Sequence, residues 1–163
     1  MNIRIGLGTD RHRLQEGLPL MLGGLAIPSD KGSLGHSDGD VLIHAICDAL
    51  LGALAMRDIG FHFPDNDPVY KGAPSRIFLE HVMKLLREAG WEVINVDSTI
   101  HLESPRLSPH IDGIRQSLAE MMMIGSHQIS VKAKTGEKTG AIGTGEVVEA
   151  LAVCLLGKSP DQA

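Results

Sequence analysis

The chain has 163 residues, 43% of them hydrophobic and 21% charged, with a formal net charge of −5. This is the profile of one ordinary soluble domain with a sizeable core. Aromatic residues make up only 3% and no run of Lys or Arg stands out, so neither base stacking nor a basic footprint for nucleic acid is expected. No window approaches the ~18 consecutive apolar residues of a membrane span, and Arg4 and Asp10 interrupt the first apolar stretch where a signal peptide would need continuity. A cytoplasmic protein that binds neither nucleic acid nor membrane is the expectation.

In chain order, residues 3–12 predict a strand with Ile3, Ile5 and Leu7 on one face, and residues 20–27 a short hairpin turning at Gly23-Gly24. Ser37 and Asp38 are N-cap types, and the apolar spacing from Val41 to Leu50 predicts a helix opening there and running to about Met56. Cys47, in this stretch, and Cys154 lie among apolar residues without paired spacing and read as buried, reduced thiols. A Pro-, Asp- and Gly-rich loop from Phe61 to Pro74 is long enough to carry function. Ser75 then caps a second helix, with Phe78, Val82, Leu85, Leu86 and Ala89 at helical spacing and Gly90 as its stop.

From Trp91 to Glu103 the period becomes two. Ile94, Val96, Ser98, Ile100 and Leu102 share one face; Val93, Asn95, Asp97, Thr99, His101 and Glu103 share the other. Ser108-Pro109 opens a third helix with Ile111, Ile114, Leu118 and Met121 inward, and residues 128–134 form another strand. A Gly-rich loop leads to a last helix, from about Thr144 to Leu156. The expected fold is α/β, a single-layer mixed β-sheet covered by helices on one face, with one domain over residues 1–157 and a disordered tail over 158–163.

Asp10 and His12 alternate on one side of a strand, and His44 lies two turns into the first helix. One carboxylate and two imidazoles make the three-ligand set of a catalytic zinc ion, although Mn2+ or Co2+ would also accept it. Asp40 and Asp48, four residues either side of His44, are each placed to receive its other ring N–H. The same spacing also fits a surface Asp–His pair and a hydrogen-bonded core histidine. His36, Ser37 and Asp38 crowd a helix N-terminus, where backbone N–H groups favour a phosphate; simple capping by Ser37 or Asp38 reads equally from the string. Residues 132–146 have the glycines to cradle a diphosphate and Glu137 to hold Mg2+, or form a plain turn. They are no Walker A loop, since Glu146 stands where Lys is required. Asp58, Asp65 and Asp67 fit sugar hydroxyls or turn caps.

Taken together, DRH at 10–12, GHSDGDVLIHAICDALLGAL at 35–54, DIGFHFPDNDP at 58–68, KGAPS at 71–75, VDSTIHLESPRLSPHI at 96–111 and KAKTGEKTG at 132–140 resemble the 2-C-methyl-D-erythritol 2,4-cyclodiphosphate synthases of non-mevalonate isoprenoid biosynthesis, over residues 3–156. The resemblance implies zinc on Asp10, His12 and His44, Mg2+ on Glu137, and phosphates on His36 and Ser37. It implies the methylerythritol part against Asp58, Gly60 and Asp65. Cytosine would lie at Ser104, Pro105, Arg106 and Leu107, and nucleotide phosphates on Lys134 and Thr135. His36, Thr135 and Glu137 would take direct part in catalysis. It further implies a nucleotide-linked substrate, CMP as product, and a homotrimer with active sites between subunits. One departure stands out: Thr144 replaces an Arg usual in the family, and Ala141 a larger residue, which removes the cation expected to hold an anion in a cavity on the trimer axis. Two rivals use the same residues, a metal-dependent phosphohydrolase and a zinc protein that binds isoprenoid diphosphates without turnover.

Overall fold

The computed structural model describes residues 2–158. In order come β1 (Ile3–Glu16), β2 (Leu20–Leu22), β3 (Leu25–Ile27), β4 (Lys31–Leu34), α1 (Val41–Ala53), α2 (Ile59–His62) and, after a 3-10 turn at Pro68–Tyr70, α3 (Arg76–Glu88). Then follow β5 (Trp91–His101), α4 (Ile111–Met122), β6 (Ile129–Lys134), the single-turn α5 (Gly140–Gly143) and β7 (Val147–Lys158). Five strands make one mixed sheet in the order β4-β1-β7-β5-β6, with only β5 and β6 parallel, while β2 and β3 form the expected hairpin.

The last helix expected over 144–156 is a strand. β7 pairs antiparallel with β1 from Val147 to Gly157 and with β5 along its other edge. Its alanines invite a helical reading because Ala has the highest helix propensity. In the sheet they serve a different purpose: Val148, Ala150, Ala152, Cys154 and Leu156 alternate inward and are buried. β7 also carries Lys158, the first residue of the expected tail; residues 159–163 lie outside the described residues.

Small residues on three elements let α1 lie close on the sheet. Gly6 and Gly8 of β1 stand opposite Cys154 and Ala152 of β7, and α1 presents Ala45 and Ala49 to them. An added Cβ would fall 1.8 Å from the Ala49 carbonyl oxygen at Gly6 and 2.0 Å from that of Ala45 at Gly8. The Cys154 thiol, burial having raised its pKa to about 11, donates to the Ala49 carbonyl at 3.3 Å. All of α1 is buried except His44, Asp48 and Gly52, a stripe at four-residue spacing. The helix is apolar nearly all round because it is covered on both sides, by the sheet and by α3. Each fully buried Leu or Ile in it contributes about 1.5–3 kcal/mol.

α1 begins three residues later than expected, because Asp40 is its cap. Its carboxylate is fully buried and accepts the N–H groups of Gly23 and Ile43 at 3.0 Å and of Gly24 at 2.7 Å. Burial pushes this carboxyl up, against the pull of those three donors. The one side chain thus caps α1 and ties the β2–β3 hairpin to it. Asp40→Ala should lose about 3 kcal/mol or more in urea unfolding at fixed protein concentration, since three N–H groups are left without partners. A loss under about 1 kcal/mol would mean that water or a shifted backbone replaces the carboxylate.

In β5 the ladder slips between Val93 and Asn95. This bulge reverses the alternation before it, so Val93 is buried and Ile94 is 42% exposed, the opposite of the period-two expectation. The sheet face away from the helices is uncovered and apolar along β1. Ile5 and Leu7 are 69% and 64% exposed there, with Ile3 and Val153 beside them.

Candidate functional site

β1 and α1 bring the three expected metal ligands together. Asp10 and His12 point to the helix side of β1, and His44 comes down from the exposed stripe of α1. The Asp10 Oδ2 atom is 2.9 Å from both His12 Nε2 and His44 Nδ1, and the two ring nitrogens are 3.1 Å apart. Two ligand bonds of about 2.0–2.1 Å at a tetrahedral angle put the donor atoms about 3.3 Å apart, so this triangle fits a zinc-sized divalent cation with small adjustments. Among the described residues it is the only such cluster of His, Cys, Asp and Glu. Burial alone would raise the Asp10 pKa, but hydrogen bonds from His12 and His44 outweigh it and hold the carboxyl well below the usual range.

Neither Asp40 nor Asp48 receives the second N–H of His44. Asp40 is committed to Gly23, Gly24 and Ile43, and Asp48 accepts the Ile59 N–H at 2.7 Å. The partner is Ser75, whose Oγ lies 2.8 Å from His44 Nε2, with Ser37 Oγ at 3.2 Å. Ser75 stands before α3 as expected, yet its hydroxyl makes no cap bond. It is bound instead to Asp38, which also accepts the Ser75 N–H at 3.0 Å. No periodicity links position 75 to position 44, which is why spacing along one helix pointed elsewhere.

A cavity of about 300 Å³ opens beside the triad, lined by His12, His44, His36, Ser37, Gly60 and Asp65 on its polar side and by Phe63, Tyr70 and Phe78 on its apolar side. Asp58 caps α2 by accepting the Phe61 N–H at 2.9 Å, and the neighbouring Ile59 and Gly60 form the wall. Asp67 caps the 3-10 turn through the Val69 N–H, and its carbonyl lies 3.2 Å from His36 Nε2. The helix N-terminus is not open to a phosphate, as its sequence invited: Asp40 fills it, and Val41, Leu42 and Ile43 are fully buried. Ser37 and His36, the latter with its Nε2–H turned to the Asp67 carbonyl, are the polar side chains that remain at the wall.

A second cavity, about 280 Å³, is lined by Pro105, Arg106, Leu107, Lys134 and Thr135. Ser104, joined to Pro105 by a cis peptide, borders an adjoining recess with Glu103 and Thr144. The Gly-rich loop is anchored by Glu103, which accepts the Gly136 N–H at 2.9 Å. Glu137 sits exposed in a left-handed conformation, φ 50°, and its Oε1 accepts the Thr135 hydroxyl at 2.5 Å. The two cavities share no residue. Register places Lys134 in one row with His101, Glu149 and Arg11, so β6 and the ligand-bearing β1 are three strand spacings apart, about 14 Å.

Among proteins of known kind, a 2-C-methyl-D-erythritol 2,4-cyclodiphosphate synthase of Laribacter hongkongensis is 53% identical over 156 residues, 96% of each chain. A solved structure of such a synthase in a CDP-bound form superposes with TM-score 0.87 at 43% identity, covering 94% of this chain and 99% of that one. A Plasmodium falciparum IspF–CDP complex gives 0.86 at 37% identity and 97% of each. The YgbB family matches residues 3–157. With the match running over residues 3–157, this chain belongs to the YgbB family.

Proposed function

We propose that the chain converts 4-diphosphocytidyl-2-C-methyl-D-erythritol 2-phosphate into 2-C-methyl-D-erythritol 2,4-cyclodiphosphate and CMP, a lyase step of non-mevalonate isoprenoid biosynthesis. The observation that carries this reading is the Asp10–His12–His44 triangle at the mouth of a cavity walled by His36 and Ser37, in a chain about half identical to synthases of that name.

The reaction is an intramolecular phosphoryl transfer. A 2-phosphate oxygen forms a bond to the β-phosphorus, the bond from that phosphorus to the bridging oxygen breaks, and CMP leaves with the electron pair. The attacking phosphate is already anionic, so no general base is needed and positioning dominates. A divalent cation on Asp10, His12 and His44, zinc in this proposal, and Mg2+ at Glu137 supply Lewis-acid neutralisation of the phosphates when bound. His36 and Ser37 hold phosphate oxygens, and Asp58, Gly60 and Asp65 meet the methylerythritol hydroxyls. The apolar wall of Phe63, Tyr70 and Phe78 excludes water that would divert the reaction to hydrolysis. Cytosine lies over Ser104 to Leu107, with Lys134 and Thr135 on the nucleotide phosphates and Thr135 also steadying the Glu137 carboxylate.

A homotrimer with active sites between subunits is part of this reading. About 14 Å of sheet separates the strand carrying Asp10 and His12 from the strand ending at Lys134, and the outer sheet face is apolar and uncovered. A neighbouring copy packed on that face would cover its apolar residues, Ile5 and Leu7 among them. Residues 1–157 act as one domain, and the setting is the cytoplasm; among the described residues no helix is long and apolar enough to cross a membrane. Incubation with the diphosphocytidyl substrate, zinc and Mg2+, followed by ³¹P NMR, should show CMP with a coupled pair of cyclic diphosphate signals. CMP with only linear phosphates would identify a hydrolase, and no CMP from zinc-loaded protein would identify a binding protein.

A further inference from the structure

We infer that Ser75 and Asp38 are positioning residues that take the Nε2–H side of the His44 ring, so that Nδ1 can meet a cation shared with Asp10 and His12 without carrying a proton. The inference rests on reading those three residues as metal ligands. His44 Nδ1 faces the triangle, 2.9 Å from Asp10 Oδ2 and 3.1 Å from His12 Nε2. A nitrogen that ligates a metal carries no proton, so the proton of a neutral His44 must sit on Nε2.

What lies beyond Nε2 determines whether it does. Ser75 Oγ is 2.8 Å away, and a hydroxyl by itself would serve either as donor or as acceptor. Asp38 removes that freedom. One of its carboxylate oxygens accepts the Ser75 hydroxyl in a short contact, and the other accepts the Ser75 N–H at 3.0 Å. An ionised carboxylate can only accept, so the chain of bonds runs one way, from His44 Nε2–H to Ser75 and from the Ser75 hydroxyl to Asp38. Ser75 is fully buried, which leaves no water to take over its place.

The frame around this relay is firm. The Asp38 N–H donates to the Ala73 carbonyl at 3.0 Å, and the Gly72 N–H to the His36 carbonyl at 2.7 Å, tying the approach to α1 onto the approach to α3. Ser37 Oγ, 3.2 Å from the same Nε2, is a longer second contact. Ser37 Oγ also lies 3.3 Å from Ser75 Oγ, which gives its hydroxyl a protein partner beside the cavity.

The test uses the 163-residue chain loaded with zinc and reads zinc affinity and exchange of the His44 ring proton rather than turnover. Long-range ¹H–¹⁵N NMR of the zinc-loaded protein should show an Nε2–H on His44 that exchanges slowly with water, as a proton held by a buried hydroxyl would. Ser75→Ala should speed that exchange and, by competition with a chelator, bind zinc about 10–100-fold more weakly, and Ser75→Thr should restore both. Should the alanine variant not fold, Asp38→Asn serves: its amide can donate to Ser75, whose hydroxyl then points at Nε2 against the proton there, and zinc should again bind more weakly. Wild-type zinc affinity with equally slow ring-proton exchange in either variant overturns the inference. Failure of the wild-type chain to bind zinc would instead sink the metal reading on which the inference rests.

Discussion

A His44→Ala chain should release CMP about a thousandfold more slowly than wild type, or slower still, and should purify with little bound zinc while keeping its fold. Three side chains are grouped here to hold a cation, and two of them, Asp10 and His12, come from one strand. Removing His44 leaves a two-ligand site open to water, too weak to retain a metal that three ligands and a substrate would share. The lost Lewis-acid contribution is several kcal/mol of transition-state stabilisation, and about 4 kcal/mol already corresponds to a thousandfold in rate. The fold should persist because His44 belongs to the one stripe of α1 that faces away from the core, and the apolar contacts of Leu42, Ile46 and Leu50 are untouched. Zinc per chain by elemental analysis, circular dichroism and the rate together check this. A wild-type rate without bound zinc would remove the metal from the mechanism.

Gly8→Ala should damage stability and metal binding together, though Gly8 is no ligand. An added Cβ would lie 2.0 Å from the Ala45 carbonyl oxygen and 2.5 Å from the Ala49 N atom. Both are helix backbone and cannot rotate aside, so α1 must retreat from β1 by about 1 Å before the contact becomes tolerable. Ala45 follows His44 directly, and Gly8 precedes Asp10 by two residues on the opposing strand. The retreat therefore opens the 2.9 Å approach of His44 Nδ1 to Asp10. The expected outcome is a loss of about 3 kcal/mol in urea unfolding and zinc affinity at least tenfold weaker. Unchanged affinity in a destabilised variant would show that the triad tolerates helix displacement, and unchanged stability would contradict the close packing itself.

Several features are legible in the sequence alone. Period two in residues 3–12 put Asp10 and His12 on one side of a strand, and the apolar spacing after Asp40 made a helix that carries His44. Alternation is local, so it survives folding wherever the ladder is regular. It failed at Ile94, where a bulge decided by pairing with β7 reversed the faces. Burial was less legible than pattern: Ile3, Ile5 and Leu7 form an apolar face as expected, but it is the uncovered one, and the core side of the strand carries glycines.

The sequence by itself determined the α/β class, through short-range periodicity, and the family, through its motif strings, and that resemblance named the three residues that the fold brings together as a candidate metal site. The tertiary structure alone decided three things. β7 is a strand because it fills the gap between β1 and β5, where hydrogen bonds on both edges outweigh the helix propensity of Ala150 and Ala152. Asp40 became a cap and clamp because the hairpin at Gly23-Gly24 folds back to its carboxylate. His44 found its second hydrogen-bond partner in Ser75, 31 residues away, because the entries to α1 and α3 pack side by side. Contacts between distant segments depend on which surfaces pack together, and no spacing along one element records that.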